Sequence, residues 1–165
     1  MMNEICEDAL GALAKRLGLP LEFREGDCVL NVGDQPFMIR HDEACDRLVV
    51  SALVADDLPP ELSRSLVCDL LNLGFGMMEN GYPAVGRDPE TGFIAAFAFF
   101  PLATLVAVEF PDAFVKFTEF ATVLADRLDA ERAGGGAADD GASSRAADDF
   151  AHGVNALYPG EFIRV

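Results

Sequence analysis

The sequence predicts an α+β protein in which an antiparallel sheet is flanked by three helices, in the order α-βββ(β)-α-ββ-α. Three observations predict this fold class. Apolar residues recur at helical spacing in three segments, short apolar runs alternate with turn residues over 21–54, and the stretch TGFIAAFAFFPLATLVAV (91–108) carries no charge. A chain of 165 residues, 51% of them apolar, is long enough to bury one full hydrophobic core.

The first helix is predicted over residues 3–18. Asn3 is placed to cap its N-terminus and Gly18 to end it. Four apolar side chains follow at helical spacing and form one stripe: Cys6, Leu10, Leu13 and Leu17.

Residues 21–54 are predicted to form an antiparallel meander. The runs LEFR, CVLNV, FMIRH and RLVVSALV are separated by EGD, GDQP and DEACD, and each separator contains turn-forming residues. This pattern differs from the alternation of strands and helices that a parallel sheet requires.

The second helix is predicted over residues 56–78, with Pro60 in its first turn and Gly74 and Gly76 at its end. One face carries a leucine row: Leu62, Leu66, Leu70 and Leu73. Val67 and Leu71 give the helix a second apolar side. The segment PAVGRD then reads as a short strand.

The uncharged stretch is better explained by sheet than by a membrane helix. A span needs about 20 apolar residues, whereas this run is shorter, has Pro101 in its middle and is flanked by Glu90 and Glu109. The pattern predicts a strand over Phe93–Phe100, a break at Pro101 and a second strand over Leu102–Val108.

The third helix is predicted over 110–133, with one apolar face formed by Phe110, Phe114, Phe117, Ala121, Leu124 and Leu128. We therefore predict a folded domain over 1–132, followed by an acidic flexible linker and an apolar tail over 133–165. The segment AGGGAADDGASSRAADD is expected to be disordered. In the tail, Phe150, Val154 and Leu157 could line one side of a short helix that docks on the domain, or the tail could be a disordered end.

Charge and cysteine usage limit the partners. A formal net charge of −16 repels phosphate backbones and anionic lipid, which argues against nucleic acid and membrane surfaces. Cys6, Cys28, Cys45 and Cys68 have irregular spacing, which predicts reduced thiols in a cytoplasmic protein. The first residues, MMNEICEDALGALAKRLG, do not have the pattern of a signal peptide.

The sequence contains no motif that requires an enzyme. His41 is the one histidine outside the predicted tail, and no phosphate loop, calcium loop or metal-ligand spacing is found. A small enzyme with Cys45 or Cys28 as its nucleophile remains an alternative, because a cysteine and its base need not be adjacent in sequence.

The order of elements, together with LGLPLEFREGDCVLNVGDQPFMIRH and ELSRSLVCDLLNLGFGMMENGYPAVGRDPETGFIAAFAFFPL, resembles the class I chaperones of type III secretion systems, the Tir-chaperone family. The residues that carry the resemblance are Leu70, Leu71, Asn72, Asp88 and Gly92, and it covers about residues 3–131. It implies a homodimer in the bacterial cytoplasm that binds the extended N-terminal segment of a secreted effector and presents it to the secretion machine, whose ATPase is a further implied partner. No nucleotide, metal or other cofactor is implied.

An exposed sheet edge with apolar neighbours can take up an extended peptide by strand addition. The predicted effector-binding residues lie on the first helix and first strands: Leu13, Leu17, Leu21, Phe23, Val29, Leu30, Phe37 and Ile39. The predicted dimer interface is the row Leu62, Leu66, Leu70 and Leu73. For both sets the alternative is the core of a single subunit. A further alternative function is a peptide-binding regulatory module whose tail competes with its ligand.

Overall fold

The structure is a computed structural model that describes residues 4–24, 26–59, 62–80, 83–134 and 140–158. Its helices are α1 (Glu4–Leu17), α2 (Arg64–Asn80), α3 (Phe110–Gly134) and α4 (Asp140–Leu157). Its strands are β1 (Phe23–Arg24), β2 (Asp27–Val32), β3 (Gln35–Asp42), β4 (Arg47–Ala55), β5 (Ala84–Arg87) and β6 (Ile94–Pro101).

The strands form one six-stranded sheet in the order β1-β2-β3-β4-β6-β5. The first three pairs along this order, from β1–β2 to β3–β4, are antiparallel. The predicted α+β fold with an antiparallel meander is therefore confirmed. Among the described residues, no helix combines the length and the apolar content that a membrane crossing requires.

The chain divides into two compact units. The first comprises Met1–Ala52 with Phe97–Thr118, and the second comprises Leu53–Ala96 with Glu119–Val165. This division differs from the predicted boundary at residue 132, which stays a prediction.

The core of the first unit lies on one face of the meander. Residues that alternate along β3 and β4 are fully buried, and Ile39 lies directly opposite Val50. The Phe37 ring packs edge-on against Phe114 at 5.9 Å and Phe117 at 6.1 Å between centroids, so the start of α3 covers this face. The stripe on α1 is likewise buried at Cys6, Leu10 and Leu13.

The predicted bounds of the second helix were wrong at both ends. The helix begins at Arg64, where the Ser63 hydroxyl accepts a hydrogen bond from the Leu66 N–H at 3.1 Å. Gly74 and Gly76 lie within the helix, which continues to Asn80. Neither glycine adopts the positive φ of a helix-ending residue, so both remain helical at a cost of about 1 kcal/mol each. The predicted cap Asn3 and the predicted first-turn Pro60 lie outside the described residues.

The predicted second strand over Leu102–Val108 was also wrong. Strand β6 ends at Pro101, and Leu102–Thr104 forms a single 3-10 turn. The Leu102 N–H donates to the carbonyl of Asp46 at 3.0 Å. This N–H, which would bond to a neighbouring strand if β6 continued, is therefore satisfied by a loop. Val106 and Val108 are consequently exposed, by 48% and 79%.

The expected disorder after α3 was wrong for residues 140–149, because α4 spans Asp140–Leu157. The predicted apolar side of a helix in this region is confirmed, since Phe150 and Val154 are buried and Leu157 is half-buried. Composition predicted disorder because the segment consists mainly of small and acidic residues. An apolar face further along the same helix nevertheless packs against the domain and stabilises the whole helix. Residues 135–139 and 159–165 lie outside the described part of the chain.

Candidate partner-binding surfaces

The first unit has a groove on the face of the meander opposite to its core. Across β3 and β4, Met38 lies opposite Ser51, Arg40 opposite Val49, and Asp42 opposite Arg47, which puts these side chains on one face. Phe97 and Phe99 of β6 complete the lining, and His41 and Glu43 lie beside it. The groove encloses about 610 Å³. We call its eight sheet residues the open sheet face: Met38, Arg40, Asp42, Arg47, Val49, Ser51, Phe97 and Phe99.

Aromatic side chains give the open sheet face its apolar character. The rings of Phe97 and Phe99 are nearly parallel, with centroids 6.5 Å apart. The Arg47 guanidinium carbon lies 4.6 Å from the Phe99 ring centroid, within cation–π range. Val29 extends this surface onto β2, because it pairs with Met38 and is 67% exposed.

The two arginines of this face are each paired with a carboxylate. Arg40 donates two hydrogen bonds to Asp27, at 2.5 and 2.7 Å, and Arg47 donates one to Asp42 at 2.9 Å. The hydrogen bond from Arg40 lowers the pKa of Asp27, and the hydrogen bond from Arg47 lowers the pKa of Asp42. An incoming segment therefore does not need to supply charges that neutralise these arginines.

The predicted effector-binding residues fall into three groups. Leu13, Phe37 and Ile39 are buried within the chain. Val29 is exposed, on the side of the sheet that carries Met38. The remaining four are half-buried and lie at the end of α1, in the connection that follows it and on the first two strands: Leu17, Leu21, Phe23 and Leu30.

The register explains why neighbouring residues of β2 differ. Leu30 pairs with Phe37 and therefore faces the core, whereas the preceding Val29 pairs with Met38 and faces outward.

Helix α2 in the second unit has two apolar sides. Within the predicted dimer row, Leu66 and Leu73 are buried in the single chain and Leu70 is half-buried, whereas Leu62 precedes the helix and is 43% exposed. On the other side, three apolar residues spaced by four are accessible, by 39%, 69% and 46% in order. We call them the α2 stripe: Val67, Leu71 and Phe75.

A buried charge network fixes the orientation of α2 against α3. Arg127, whose side chain is 1% exposed, pairs with Asp69 at 2.9 Å and with Glu131 at 2.9 Å, and it donates to the Ser65 hydroxyl at 3.2 Å. Glu131 also accepts the Ser63 N–H at 2.6 Å. Burial opposes the ionisation of Glu131, but the hydrogen bonds from Ser63 and Arg127 outweigh it and lower its pKa. Because Ser65 and Asp69 face α3, the α2 stripe is held on an accessible side.

Sequence reasoning missed the residues that line the open sheet face. The alternation Met38, Arg40, Asp42 along β3 was the signal that could have found them, since period-two patterning marks one face of a strand. The stretch that contains Phe97 and Phe99 carries no charge and therefore shows no such alternation. Val67 and Leu71 were noted as a second apolar side, and Phe75 was not.

The candidate nucleophiles lie in different environments. Cys28 is buried, and burial raises the pKa of its thiol, which is the opposite of what a reactive cysteine needs. Cys45 is exposed in the turn after β3, where its N–H donates to Asp42.

Nε2 of His41 is buried without a hydrogen-bond partner among the described residues. The same residues contain no group of three histidine, cysteine or acidic side chains placed to hold a metal ion.

Comparisons with known proteins give both a family and a fold. The model of the Tir chaperone protein (CesT) family matches residues 8–124. A chain of the HopA1–SchA chaperone–effector complex aligns with a TM-score of 0.61 and 21% identity, covering 74% of this chain and 94% of that one. A chain of the ExsC–ExsE complex aligns at 0.60 and 20%, covering 77% and 97%. A chain of the ExoT–SpcS complex from Pseudomonas aeruginosa aligns at 0.54 and 21%, covering 77% and 99%. No curated protein matches by sequence.

Proposed function

The chain belongs to the Tir chaperone protein (CesT) family, and from that premise we propose that it is a type III secretion chaperone. In this role it binds the extended N-terminal segment of a secreted effector and keeps that segment soluble and ready for secretion. The family match over residues 8–124 is the observation that carries the proposal. The fold that the chain shares with chains of chaperone–effector complexes supports it.

We assign the effector segment to the open sheet face. An extended segment presents every second side chain to the surface below it, which matches the spacing of apolar residues on a sheet. Phe99 is 43% exposed, so its covering removes apolar area from water at about 25 cal/mol per Å². The arginines of this face are already paired with carboxylates, so the effector segment does not need charged residues at particular positions.

Strand addition offers a second mode of binding. The outermost strands of the sheet are β1, with two residues, and β5, with four. Backbone hydrogen bonds to such an edge are largely independent of sequence. The half-buried residues Leu21, just before β1, and Phe23, within it, would select side chains.

The homodimer interface is assigned to the accessible side of α2. Leu66 and Leu73 belong to the core of the single chain, so the predicted interface contributes Leu62 and Leu70 at most. The α2 stripe adds Leu71, which is 69% exposed. A continuous apolar stripe on a helix is the pattern of a helix–helix interface.

Three further parts of the proposal rest on family membership. The protein acts in the bacterial cytoplasm, it works by binding and not by catalytic turnover, and it contacts the ATPase of the secretion machine. If no cysteine is a nucleophile, the exposed Cys45 should react with a thiol reagent no faster than an ordinary free thiol, and the buried Cys28 should react more slowly.

The test is co-expression of the full chain with the product of the neighbouring reading frame, followed by limited proteolysis of the purified complex. We expect a segment near the N-terminus of the second protein to be protected and to lose protection with Phe99→Asp. Val108→Asp is the matched control, because Val108 is 79% exposed and lies in the loop before α3. A neighbour that does not co-purify and gains no protected segment would overturn the assignment.

A further inference from the structure

Helix α4 lies beyond the part of the chain that matches the family. The family match ends at residue 124, before α4 begins at Asp140. The similar solved chains are covered over 94–99% of their own length but correspond to only 74–77% of this chain. The family match therefore does not include this helix.

Within the second unit, α4 packs against α2 and α3 through one apolar face. Phe150, Ala151 and Val154 are at most 4% exposed. The ring of Tyr158 meets Phe120 of α3 edge-on, with centroids 5.9 Å apart. Burial raises the pKa of the Tyr158 phenol to about 12, which is consistent with a well-covered contact.

Gly153 lies against Val123 of α3. A Cβ atom at this position would lie 3.1 Å from Cγ1 of Val123, closer than ordinary contacts allow. Glycine in a helix interior lowers helix stability, so its presence here is explained by the need for α4 to lie directly on α3.

The same helix has little stability of its own. The helix-favouring effect of five alanines in its sequence, DGASSRAADDFAHGVNAL, is offset by weak helix formers in its interior: Ser143, Ser144, Asp148, Asp149 and Gly153. The opposite side exposes Arg145, Asp149 and His152 to solvent. An isolated helix of this length and composition is marginal in water, so its folding depends on docking.

From these contacts we infer that α4 is a cover held in cis on a helix-binding surface of α2 and α3, and that an amphipathic helix with the same apolar spacing can replace it. The surface is a second docking site, separate from the open sheet face. A segment that folds only when docked exchanges more readily than a helix of the continuous core.

Hydrogen exchange on the unmodified full chain is the first test. We expect the amides of α4 to exchange at least about tenfold faster than those of the second half of α3, because α4 opens locally. Equal exchange in the two helices, which would mean that they open only together, would overturn the inference.

The second test measures binding of a fluorescent synthetic peptide of residues 140–158 to full-length variants. Val154→Asp in the protein should undock the resident helix, and the peptide should then bind at least about tenfold more tightly than to the wild type, because the cis competitor is lost. Ala156→Asp, on the exposed side of α4, is the matched control and should bind as the wild type does. A peptide that itself carries Val154→Asp should bind neither protein.

Equal peptide affinity for the wild type and the Val154→Asp protein would contradict the inference. If Val154→Asp fails to fold, Gly153→Val provides the same test through the contact with Val123. Neither outcome depends on effector binding, so the inference and the proposed function can fail separately.

Discussion

The open sheet face and the α2 stripe are both accessible and apolar, but they differ in how charge is distributed. On the sheet face, Val49 lies opposite Arg40, and Phe99 lies under the Arg47 guanidinium. On the α2 stripe, Val67, Leu71 and Phe75 follow each other on one side of a helix, and this row contains no charged side chain. The open sheet face suits a partner that binds transiently, and the α2 stripe suits a permanent partner.

The physical reason is the cost of desolvation. Covering a charged pair removes water from both ions, and the lost hydration offsets much of what the apolar contacts provide. Covering the α2 stripe carries little such cost, so most of its apolar area stabilises the complex. Similar exposure can therefore suit different partners, and we propose an extended effector segment for the open sheet face and a second copy of the chain for the α2 stripe.

The largest effect is expected when the support of the α2 stripe is removed. Arg127→Ala leaves Asp69 and Glu131 as buried carboxylates without their cation, which should lower the free energy of unfolding by about 3–5 kcal/mol. Urea unfolding measures this change. The control is Arg132→Ala, because Arg132 is exposed, and a loss of similar size in that variant would contradict the role of the buried network.

The next effect concerns the stripe itself. Leu71→Asp places a charge in the centre of the proposed dimer interface and should weaken dimerisation by roughly 100-fold, as expected for an apolar hot spot. Sedimentation velocity over a range of protein concentrations measures it, with Val108→Asp as the exposed control. A wild-type protein that is monomeric at all concentrations would contradict the proposed role of the α2 stripe as a dimer interface.

A smaller and separable effect is expected on the sheet face. Phe99→Asp should weaken binding of the effector segment by about tenfold or more without changing dimerisation. Titration calorimetry with the co-purified partner measures the affinity, and sedimentation measures the assembly. If Phe99→Asp and Leu71→Asp each impaired both properties, the two surfaces would not have the separate roles proposed here.

The smallest effect is the pH dependence of the sheet-face ion pair. Because the pKa of Asp27 in the folded chain is lowered below its usual 3.8, the pair stabilises the fold above that pH and loses its contribution as the pH falls through the lowered value. Solvent screens the pair, so we expect less than about 1 kcal/mol. The difference in thermal stability between the wild type and Asp27→Asn should be smaller at pH 3 than at pH 7.

The sequence predicted elements better than it predicted surfaces. Period-two and helical spacing located the meander, α1 and α3, because each pattern reports one buried side of its own element. Which side of β3 is buried depends on where α3 packs, and the sequence of the strand alone does not indicate the position of that helix. Phe37 and Ile39 were therefore assigned to the partner, although both are buried, Phe37 against α3, and Met38 on the other face is half-buried.

Longer-range contacts also explain the remaining errors. The N–H of Leu102 bonds to a loop carbonyl at Asp46, and no local pattern contains that partner. Glycine often follows the end of a helix, but Gly74 and Gly76 lie within α2. For α4, composition alone indicated disorder, whereas Phe150 and Val154 find a surface on distant helices.

Tyr158 gives the protein a built-in optical reporter. The chain contains no tryptophan and only two tyrosines, and the Tyr158 ring lies against Phe120 where α4 meets α3. Burial raises the pKa of its phenol to about 12, compared with 10.0 in the free side chain, so alkaline solution above that lower value progressively favours release of the helix. Ultraviolet difference absorbance of tyrosinate can therefore follow that release without an added dye in a variant that lacks the second tyrosine, Tyr82.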